Sequence, residues 1–321
     1  MVAIIIIWIL VFIIALAVLL KASDYFTEAA EKIGIRWGIP AFVVGVTIVA
    51  IGTSLPELIS SIFAVTSNAS EIVIGNVVGS NIANILLILG IVGIVAKKIE
   101  TDYEIWRVDL PIFFASALFI FIVAFDGVIN RWEGIIGIIG VITYFSFAGA
   151  IAKKHGSKEE KEIKRDKKEL KREGVLWQFV IVLVSGVFIF FGAKYVVASV
   201  IHISDIFNIG KDIIAISAVA IGTSLPELSV GISAARKGNA GMAFGNVLGS
   251  NIFNSFGVLG IASLFGALTV PSTIVLFSLP LMLGASLLYF FMIQDRQLTI
   301  WEGIILLLAY VLYMAKIFAI F

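Results

Sequence analysis

Long apolar stretches separated by short polar segments dominate the hydrophobic pattern of this chain. Each stretch has about the 20 residues that an α-helix needs to cross the hydrocarbon core of a bilayer. The stretches show no alternation of apolar and polar positions, which argues against membrane-spanning strands. The pattern therefore predicts an all-α integral membrane protein with ten transmembrane helices. The predicted spans are residues 3–20, 39–66, 72–96, 109–125, 133–152, 176–199, 211–235, 241–266, 271–293 and 300–320.

Composition agrees with a membrane protein and excludes several other classes. Hydrophobic residues make up 60% of the chain and charged residues 14%, whereas soluble proteins average about 25% charged residues. The net charge of +1 gives no indication of nucleic-acid binding. Cysteine is absent, so disulfides, thiolate metal sites and cysteine nucleophiles are excluded. The N-terminal apolar run lacks a basic start and a cleavage site, and we interpret it as the first transmembrane helix rather than a signal peptide.

One long polar segment, Lys153–Glu173, contains ten Lys or Arg and six Asp or Glu residues. We interpret residues 153–174 as a solvated linker between a first five-helix repeat, 1–152, and a second, 175–321. With this linker in the cytoplasm, the same side carries 19 of the 23 basic residues, as the positive-inside rule requires. We therefore expect a multi-pass protein of the cell membrane with both termini outside.

The chain contains the same two motifs twice. AIGTSLPEL occurs at Ala50–Leu58 and again at Ala220–Leu228, and GNVVGSNIAN at Gly75–Asn84 returns as GNVLGSNIFN at Gly245–Asn254. Both pairs are offset by 170 residues. Five predicted helices separate each motif from its copy, and since five is odd, the copies cross the membrane in opposite directions. This predicts two inverted repeats, with the motif regions 50–84 and 220–254 meeting near the midplane.

The first motif predicts a broken helix lined with oxygen atoms. Pro56 has no N–H and crowds the carbonyl four residues earlier, so we expect carbonyls around Ala50–Thr53 to lose their helical partners. Such groups must be satisfied inside a membrane by protein, water or an ion. The side chains of Thr53, Ser54 and Glu57 add two hydroxyls and a carboxylate. The second copy, with Thr223, Ser224 and Glu227, predicts a second broken helix in span 7, matching the one in span 2.

The second motif predicts a polar stripe on a helix. Asn76, Ser80 and Asn84 are spaced by four residues and share one face, and Asn246, Ser250 and Asn254 form the matching stripe. The neighbouring glycines allow close helix packing. We interpret Asn76, Asn246 and the off-stripe Asn81 and Asn251 as interhelical hydrogen-bonding residues.

Two carboxylates surrounded by neutral oxygens suit a hard cation. Ca²⁺ takes six to eight oxygen ligands in flexible geometry, whereas Mg²⁺ gives up its water reluctantly. Zinc and copper prefer His or Cys ligands, which these motifs lack. Several Na⁺ ions could use the same oxygens in neighbouring subsites, and such overlap is what an antiporter requires.

The paired GTSLPEL and GNVVGSNIAN or GNVLGSNIFN motifs resemble the two α-repeats of the cation/calcium antiporters, and most of all the prokaryotic sodium/calcium exchangers. The resemblance implies Glu57 and Glu227 as central carboxylates, with Thr53 and Thr223 completing a calcium site. It also implies Asn84 and Asn254 in the middle of the cluster. Flanking sodium sites would be lined by Ser54, Ser80, Ser224, Ser250 and the carbonyls of Ala50 and Ala220.

Two departures from related branches bear on the coupling ion. Some prokaryotic members and the potassium-dependent branch carry Asp where this chain has Asn254, which makes potassium co-transport doubtful. Proton-coupled calcium exchangers usually carry a histidine in the second motif, and GNVLGSNIFN has none. The missing histidine favours sodium over protons as the coupling ion.

We therefore expect a secondary antiporter that exchanges Na⁺ for Ca²⁺, acts as a monomer in a lipid bilayer, and is not an enzyme. It would need no cofactor beyond the transported ions. The alternatives are an antiporter coupled to protons or moving another divalent cation such as Mn²⁺, a passive channel, and an intramembrane hydrolase that uses the two carboxylates as acid and base.

Overall fold

The structure, a computed structural model, describes residues 2–36, 47, 49–96, 98–100, 109–155, 175–207, 211–236, 240–292 and 297–319. These residues are almost entirely helical. The α-helices in chain order are α1 (Val2–Arg36), α2 (Ala50–Thr53), α3 (Leu55–Thr66), α4 (Glu71–Ile82), α5 (Leu89–Ala96), α6 (Asp109–Val123), α7 (Arg131–His155), α8 (Val175–Phe207), α9 (Lys211–Ile214), α10 (Ala220–Thr223), α11 (Leu225–Arg236), α12 (Ala240–Ile252), α13 (Leu259–Phe265), α14 (Leu279–Met292) and α15 (Ile300–Ala319).

π-helical turns in the described part of the chain join some of these helices into longer rods. They span Ala83–Ile88, Ala215–Val219, Phe253–Val258 and Ile274–Ser278. The first and third connect α4 to α5 and α12 to α13, and both contain residues of the second motif. A π-turn widens the helix by one residue and often lies at a functional site. The predicted stripes therefore end in π-turns rather than in regular α-helix.

Seven helices in the described part of the chain are long and apolar enough to cross a membrane, and an eighth span is counted if one bent pair, Ala215–Thr223 and Leu225–Ile232, is taken together. Two shorter apolar helices, Leu55–Thr66 and Asp109–Val123, lie within the predicted spans 39–66 and 109–125. The first part of span 39–66 falls largely outside the described residues. The structure thus supports a helical membrane protein with at least seven spans.

The helices that carry the second motif lie at the centre of the molecule. Along an 18-residue apolar stretch, 83% is buried in both Glu71–Val95 and Ala243–Phe265, but only 12% in Ile4–Phe26. The outer helices present apolar side chains such as Ile14 and Leu308 at their surfaces, as lipid-facing helices do. The duplicated motifs are therefore enclosed by other helices.

Short strands, which the hydrophobic pattern does not predict, close the ends of two helix pairs. β1 (Lys98–Glu100) pairs antiparallel with β4 (Gln297–Thr299), and β2 (Val128–Ile129) pairs antiparallel with β3 (Leu268–Thr269). Their two- and three-residue lengths are too short to produce a recognisable alternation in the sequence.

The two strand pairs are equivalent under the sequence repeat. Adding 170 to β1 gives the region of β3, and adding 169 to β2 gives the region of β4. Each strand therefore pairs with a strand of the other repeat. If the two repeats are interchanged, the β1–β4 pair becomes the β3–β2 pair. A two-fold relation between the repeats produces this kind of exchange.

Two glycine pairs show the same exchange in the helix packing. A Cβ atom on Gly303 of α15 would lie 2.7 Å from the carbonyl oxygen of Gly90 in α5, and one on Gly134 of α7 would lie 2.8 Å from the carbonyl oxygen of Gly260 in α13. Gly90 and Gly260 are counterparts, as are Gly134 and Gly303. Backbones at both places are as close as the small-residue packing of membrane helices allows.

The predicted linker, residues 153–174, falls mostly outside the described residues. Its first three residues continue α7 to His155. The remainder, 156–174, and the side of the membrane on which it lies are not described by the structure.

Candidate cation site

Both copies of the first motif break a helix at the same point. Ser54 separates α2 from α3 with φ −87° and ψ 6°, and Ser224 separates α10 from α11 with φ −86° and ψ 3°. Each break lies two residues before a proline, which cannot donate a backbone hydrogen bond. The motifs therefore place Glu57 and Glu227 in the first turn of a new helix in the protein interior.

The expectation that the Ala50 and Ala220 carbonyls lose their helical partners is wrong. The N–H of Ser54 donates to the Ala50 carbonyl at 3.1 Å, and the N–H of Ser224 donates to the Ala220 carbonyl at 3.1 Å. Pro56 lacks the N–H that would donate to the carbonyl of Gly52, four residues earlier. The carbonyl of Ala50 is unaffected, because its donor is the N–H of Ser54, which precedes the proline. The Ala50 carbonyl also accepts a hydrogen bond from Thr53 Oγ1 at 3.2 Å. A carbonyl oxygen has two lone pairs, so a cation at Ala50 would have to replace the Thr53 bond.

The two carboxylates are fully buried and accept hydrogen bonds from hydroxyls of both motifs. Ser80 donates to Glu57 Oε1 at 3.4 Å, and its counterpart Ser250 donates to Glu227 Oε1 at 3.4 Å. Glu227 Oε1 also accepts a hydrogen bond from Ser54 at 3.1 Å. That bond joins the first motif of one repeat to the carboxylate of the other.

The threonines join the repeats in a reciprocal way. Thr53 Oγ1 lies 3.4 Å from Asn246 Oδ1, and Thr223 Oγ1 lies 3.3 Å from Asn76 Oδ1. Thr53 Oγ1 also lies 3.4 Å from Ser250 Oγ. Each first motif thus packs against the second motif of the opposite repeat. The predicted interhelical role of Asn76 and Asn246 is confirmed.

The remaining asparagines also bond across the repeats, but not symmetrically. Asn84 donates to Asn251 Oδ1 at 3.0 Å, and Asn81 donates to Ser255 Oγ at 2.9 Å. These bonds confirm the interhelical role predicted for Asn81 and Asn251. Asn254, the counterpart of Asn84, makes no hydrogen bond through either side-chain atom within the described part of the chain.

Several buried oxygen atoms of this cluster have no hydrogen-bond partner among the described residues. Buried acceptors are nearly always paired in proteins, and each exception needs an explanation. Six of these oxygens belong to the two motifs that the sequence repeats, so a shared cause is the simplest explanation for those six. Within the two motifs the unpaired oxygens are Glu57 Oε2, Glu227 Oε2, Asn81 Oδ1, Asn84 Oδ1, Asn254 Oδ1 and Ser224 Oγ.

All twelve residues predicted for the site are buried, and hydrogen bonds link most of them. The set is Ala50, Thr53, Ser54, Glu57, Ser80, Asn84, Ala220, Thr223, Ser224, Glu227, Ser250 and Asn254. Sequence reasoning did not anticipate Ser255, which bonds to Asn81. No sequence signal identifies Ser255, because its counterpart is the apolar Ile85.

Comparison with known proteins gives the family. The sequence matches the family described as sodium/calcium exchanger protein over residues 7–149 and 177–319, which include both copies of both motifs. The chain belongs to the sodium/calcium exchanger family. Members of this family are transporters, so the hydrolase alternative is excluded.

Individual relatives agree with that assignment. The chain is 36% identical to sodium/calcium exchanger MaX1 of Methanosarcina acetivorans, covering 97% of this chain and 98% of the relative. It is 32% identical to inner membrane protein YrbG of Escherichia coli over 78% of each. Among solved structures, the sodium-calcium exchanger NCX_Mj soaked with Na⁺ and Ca²⁺ matches with a TM-score of 0.70 and 29% identity, covering 97% of this chain and 98% of that one.

Proposed function

We propose that this exchanger moves Ca²⁺ in one direction and Na⁺ in the other through the site between Glu57 and Glu227. The observation that carries the proposal is the set of buried, unpaired oxygens contributed by both repeats. A protein that leaves carboxylate, amide and hydroxyl oxygens unpaired in its interior loses stability unless a ligand satisfies them. A cation is the ligand that needs only acceptor oxygens.

The charge and chemistry of the cluster favour Ca²⁺ as one cargo ion. Ionised Glu57 and Glu227 supply a charge of −2, and hydroxyl and amide oxygens complete a set of hard ligands. Calcium accepts six to eight such oxygens with variable geometry. The related MaX1 and NCX_Mj both have names that specify sodium and calcium, in agreement with this choice.

We assign roles to the site residues from the family pattern, and the local contacts support them. Glu57 and Glu227, with Thr53 and Thr223, would hold Ca²⁺. Sodium ions would bind on either side of that position and share the carboxylates with it, so that the two cargoes exclude each other. The flanking sodium ligands would be Ser54, Ser80, Ser224, Ser250 and the carbonyls of Ala50 and Ala220, with Asn84 and Asn254 between them.

Transport by alternating access requires two states related by the pseudo-symmetry of the repeats. We infer ten transmembrane helices in two inverted five-helix repeats, 1–152 and 175–321, joined by the linker 153–174. The exchanged strand pairs and glycine pairs support this inference, because each contact recurs with the repeats interchanged. The distribution of basic residues supports a cytoplasmic linker, external termini and a location in the cell membrane.

All site ligands in this proposal come from one chain, which supports function as a monomer. The mutual contacts of the two motifs complete the cluster without a second subunit.

Calcium flux into vesicles tests the proposal. Purified protein is reconstituted into vesicles loaded with sodium, with choline, or with choline at acid internal pH, and calcium uptake is measured from a sodium-free medium. Sodium-loaded vesicles should take up calcium and the other two should not. Uptake driven by the acid interior would indicate proton coupling, and equal uptake in all three would indicate a channel.

A further inference from the structure

Two serines just beyond the site are buried without a hydrogen-bond partner. Ser60 and Ser61 of α3 are 0% and 1% exposed, and neither hydroxyl has a partner among the described residues. Burying a hydroxyl away from water without a replacement hydrogen bond destabilises a protein. Two adjacent ones in a membrane helix therefore need an explanation.

Other buried serines in this protein show what a structural serine does. Ser116, Ser217 and Ser286 each donate to a carbonyl three or four residues earlier in their own helix, at 2.7, 2.7 and 2.8 Å. This back-bonding is the usual way for a serine to be satisfied inside an apolar helix. Ser60 and Ser61 do not bond in this way. In lacking a partner they resemble Ser224 of the cation site.

The repeat shows that these hydroxyls are not required by the fold. The counterparts of Ser60 and Ser61 in α11 are Val230 and Gly231, although residues 50–58 are identical to residues 220–228 and the repeats first differ at Ile59 and Ser229. The second repeat thus forms the equivalent helix without hydroxyls at these positions. A role specific to the first repeat explains the difference.

The helix spacing places both serines on the same side of α3 as Glu57. Residues three and four positions apart lie on one face of a helix, with Cβ atoms about 5–6 Å apart, and side chains tilt toward the helix N-terminus. Ser60 and Ser61 therefore lie over the turn that carries Glu57. The Oε2 atom of Glu57 has no hydrogen-bond partner in the described part of the chain.

We propose that Ser60 and Ser61, together with Glu57 Oε2, form an additional sodium subsite on the path between the central site and the Thr66 end of α3. This inference rests on the proposed exchange function. One carboxylate oxygen and two hydroxyls suit a monovalent ion that keeps part of its water shell. On the next turn the buried Ala64 and Val65 separate the subsite from Thr66, which is exposed.

The sodium dependence of exchange tests the subsite. The double variant Ser60→Ala/Ser61→Ala is compared with wild type and with Ser286→Ala, which removes a buried serine bonded to its own helix. We expect the sodium concentration for half-maximal calcium release to rise several-fold in the double variant and to stay unchanged in the control. Equilibrium calcium binding in sodium-free buffer should remain close to wild type. An unchanged sodium dependence would overturn the proposal.

The absence of native cysteine allows a second test that does not depend on the double variant folding. Single variants Ser60→Cys, Ser61→Cys and Ser286→Cys are labelled with a small cationic thiol reagent. We expect the first two to be labelled faster than Ser286→Cys, and sodium to slow their labelling when choline does not. Labelling of both at the rate of Ser286→Cys, insensitive to sodium, would contradict the subsite.

Vesicle flux and serine variants distinguish failure of the exchange function from failure of the additional subsite. If wild-type vesicles show no sodium-driven calcium flux, the proposed function itself is wrong. If wild type exchanges normally while the serine variants keep wild-type sodium dependence, only the additional subsite is wrong.

Discussion

Ser54 donates a hydrogen bond to Glu227 Oε1 at 3.1 Å, from the broken helix of one repeat to the carboxylate of the other. The equivalent bond from Ser224 to Glu57 is not formed, and within the described residues the Ser224 hydroxyl has no partner. The two halves of the site thus have the same residues and different hydrogen bonds. The proposed alternating access calls for such a difference, because in each state the two repeats would adopt different conformations.

Ser54→Ala should therefore destabilise the protein more than Ser224→Ala. Removing Ser54 takes a donor from a buried carboxylate, and hydrogen bonds to charged groups contribute about 1.5–3 kcal/mol. Removing Ser224 takes away no bond that the structure forms. The measurement is thermal unfolding of both variants in choline buffer without sodium or calcium. Equal losses of stability in the two variants would show that the hydrogen bond between Ser54 and Glu227 does not contribute to stability.

Asn254→Asp should change ion selectivity more than stability. Both side-chain atoms of Asn254 lack partners among the described residues, and Asp has nearly the same shape as Asn. The change makes the formal charge of the cluster more negative, from −2 to −3. We therefore expect protons and K⁺ to compete with Ca²⁺ for the site. The measurement is calcium flux against pH, with and without potassium.

Asn81→Asp is the matched comparison for Asn254→Asp. Asn81 donates to Ser255 and lies off the predicted stripe, so the variant loses a buried donor and should lose stability, by about 1–3 kcal/mol, without a new potassium effect. If Asn81→Asp alters the pH and potassium profile while Asn254→Asp does not, the wrong face of the helix has been assigned to the site.

Gly134→Ala should weaken the packing of α7 against α13. The new Cβ would lie 2.8 Å from the carbonyl oxygen of Gly260 and closer still to the Ser263 side chain. Overpacking of this kind destabilises by about 1–3 kcal/mol. Gly149→Ala in the same helix is the control, because a Cβ there has no atom of the described chain within 4 Å. The unfolding temperature should fall only in the first variant, and a fall of equal size in both would contradict the close contact.

The duplicated motifs made the composition of the site predictable from sequence. Identical residues 170 positions apart indicate equivalent places in two repeats, and polar residues inside apolar spans indicate where those places meet. This reasoning placed Glu57 and Glu227 in one buried cluster, and hydrogen bonds now link both to hydroxyls of the two motifs. The resemblance to the sodium/calcium exchangers was confirmed by the family match.

Details that depend on how the repeats pack together were not predictable. The Ala50 carbonyl keeps its partner because the proline lies two residues too late to remove it. The π-turns at Asn84 and Asn254 arise where helices adjust to each other, and a regular spacing of four residues does not reveal them. The different hydrogen bonding of Ser54 and Ser224 could not be predicted either, because identical sequences identify equivalent residues but do not give the conformation of each.

Sodium-driven calcium flux in vesicles that contain Glu57→Gln or Glu227→Gln tests directly whether the two carboxylates form the transport site. Each change preserves the shape of the side chain and removes half of the charge that balances Ca²⁺, so each should abolish exchange in a folded, membrane-inserted protein. Glu28→Gln, which changes an exposed carboxylate paired with Lys32, should exchange like wild type. Near-normal flux in either Glu57→Gln or Glu227→Gln would contradict the assignment of the transport site.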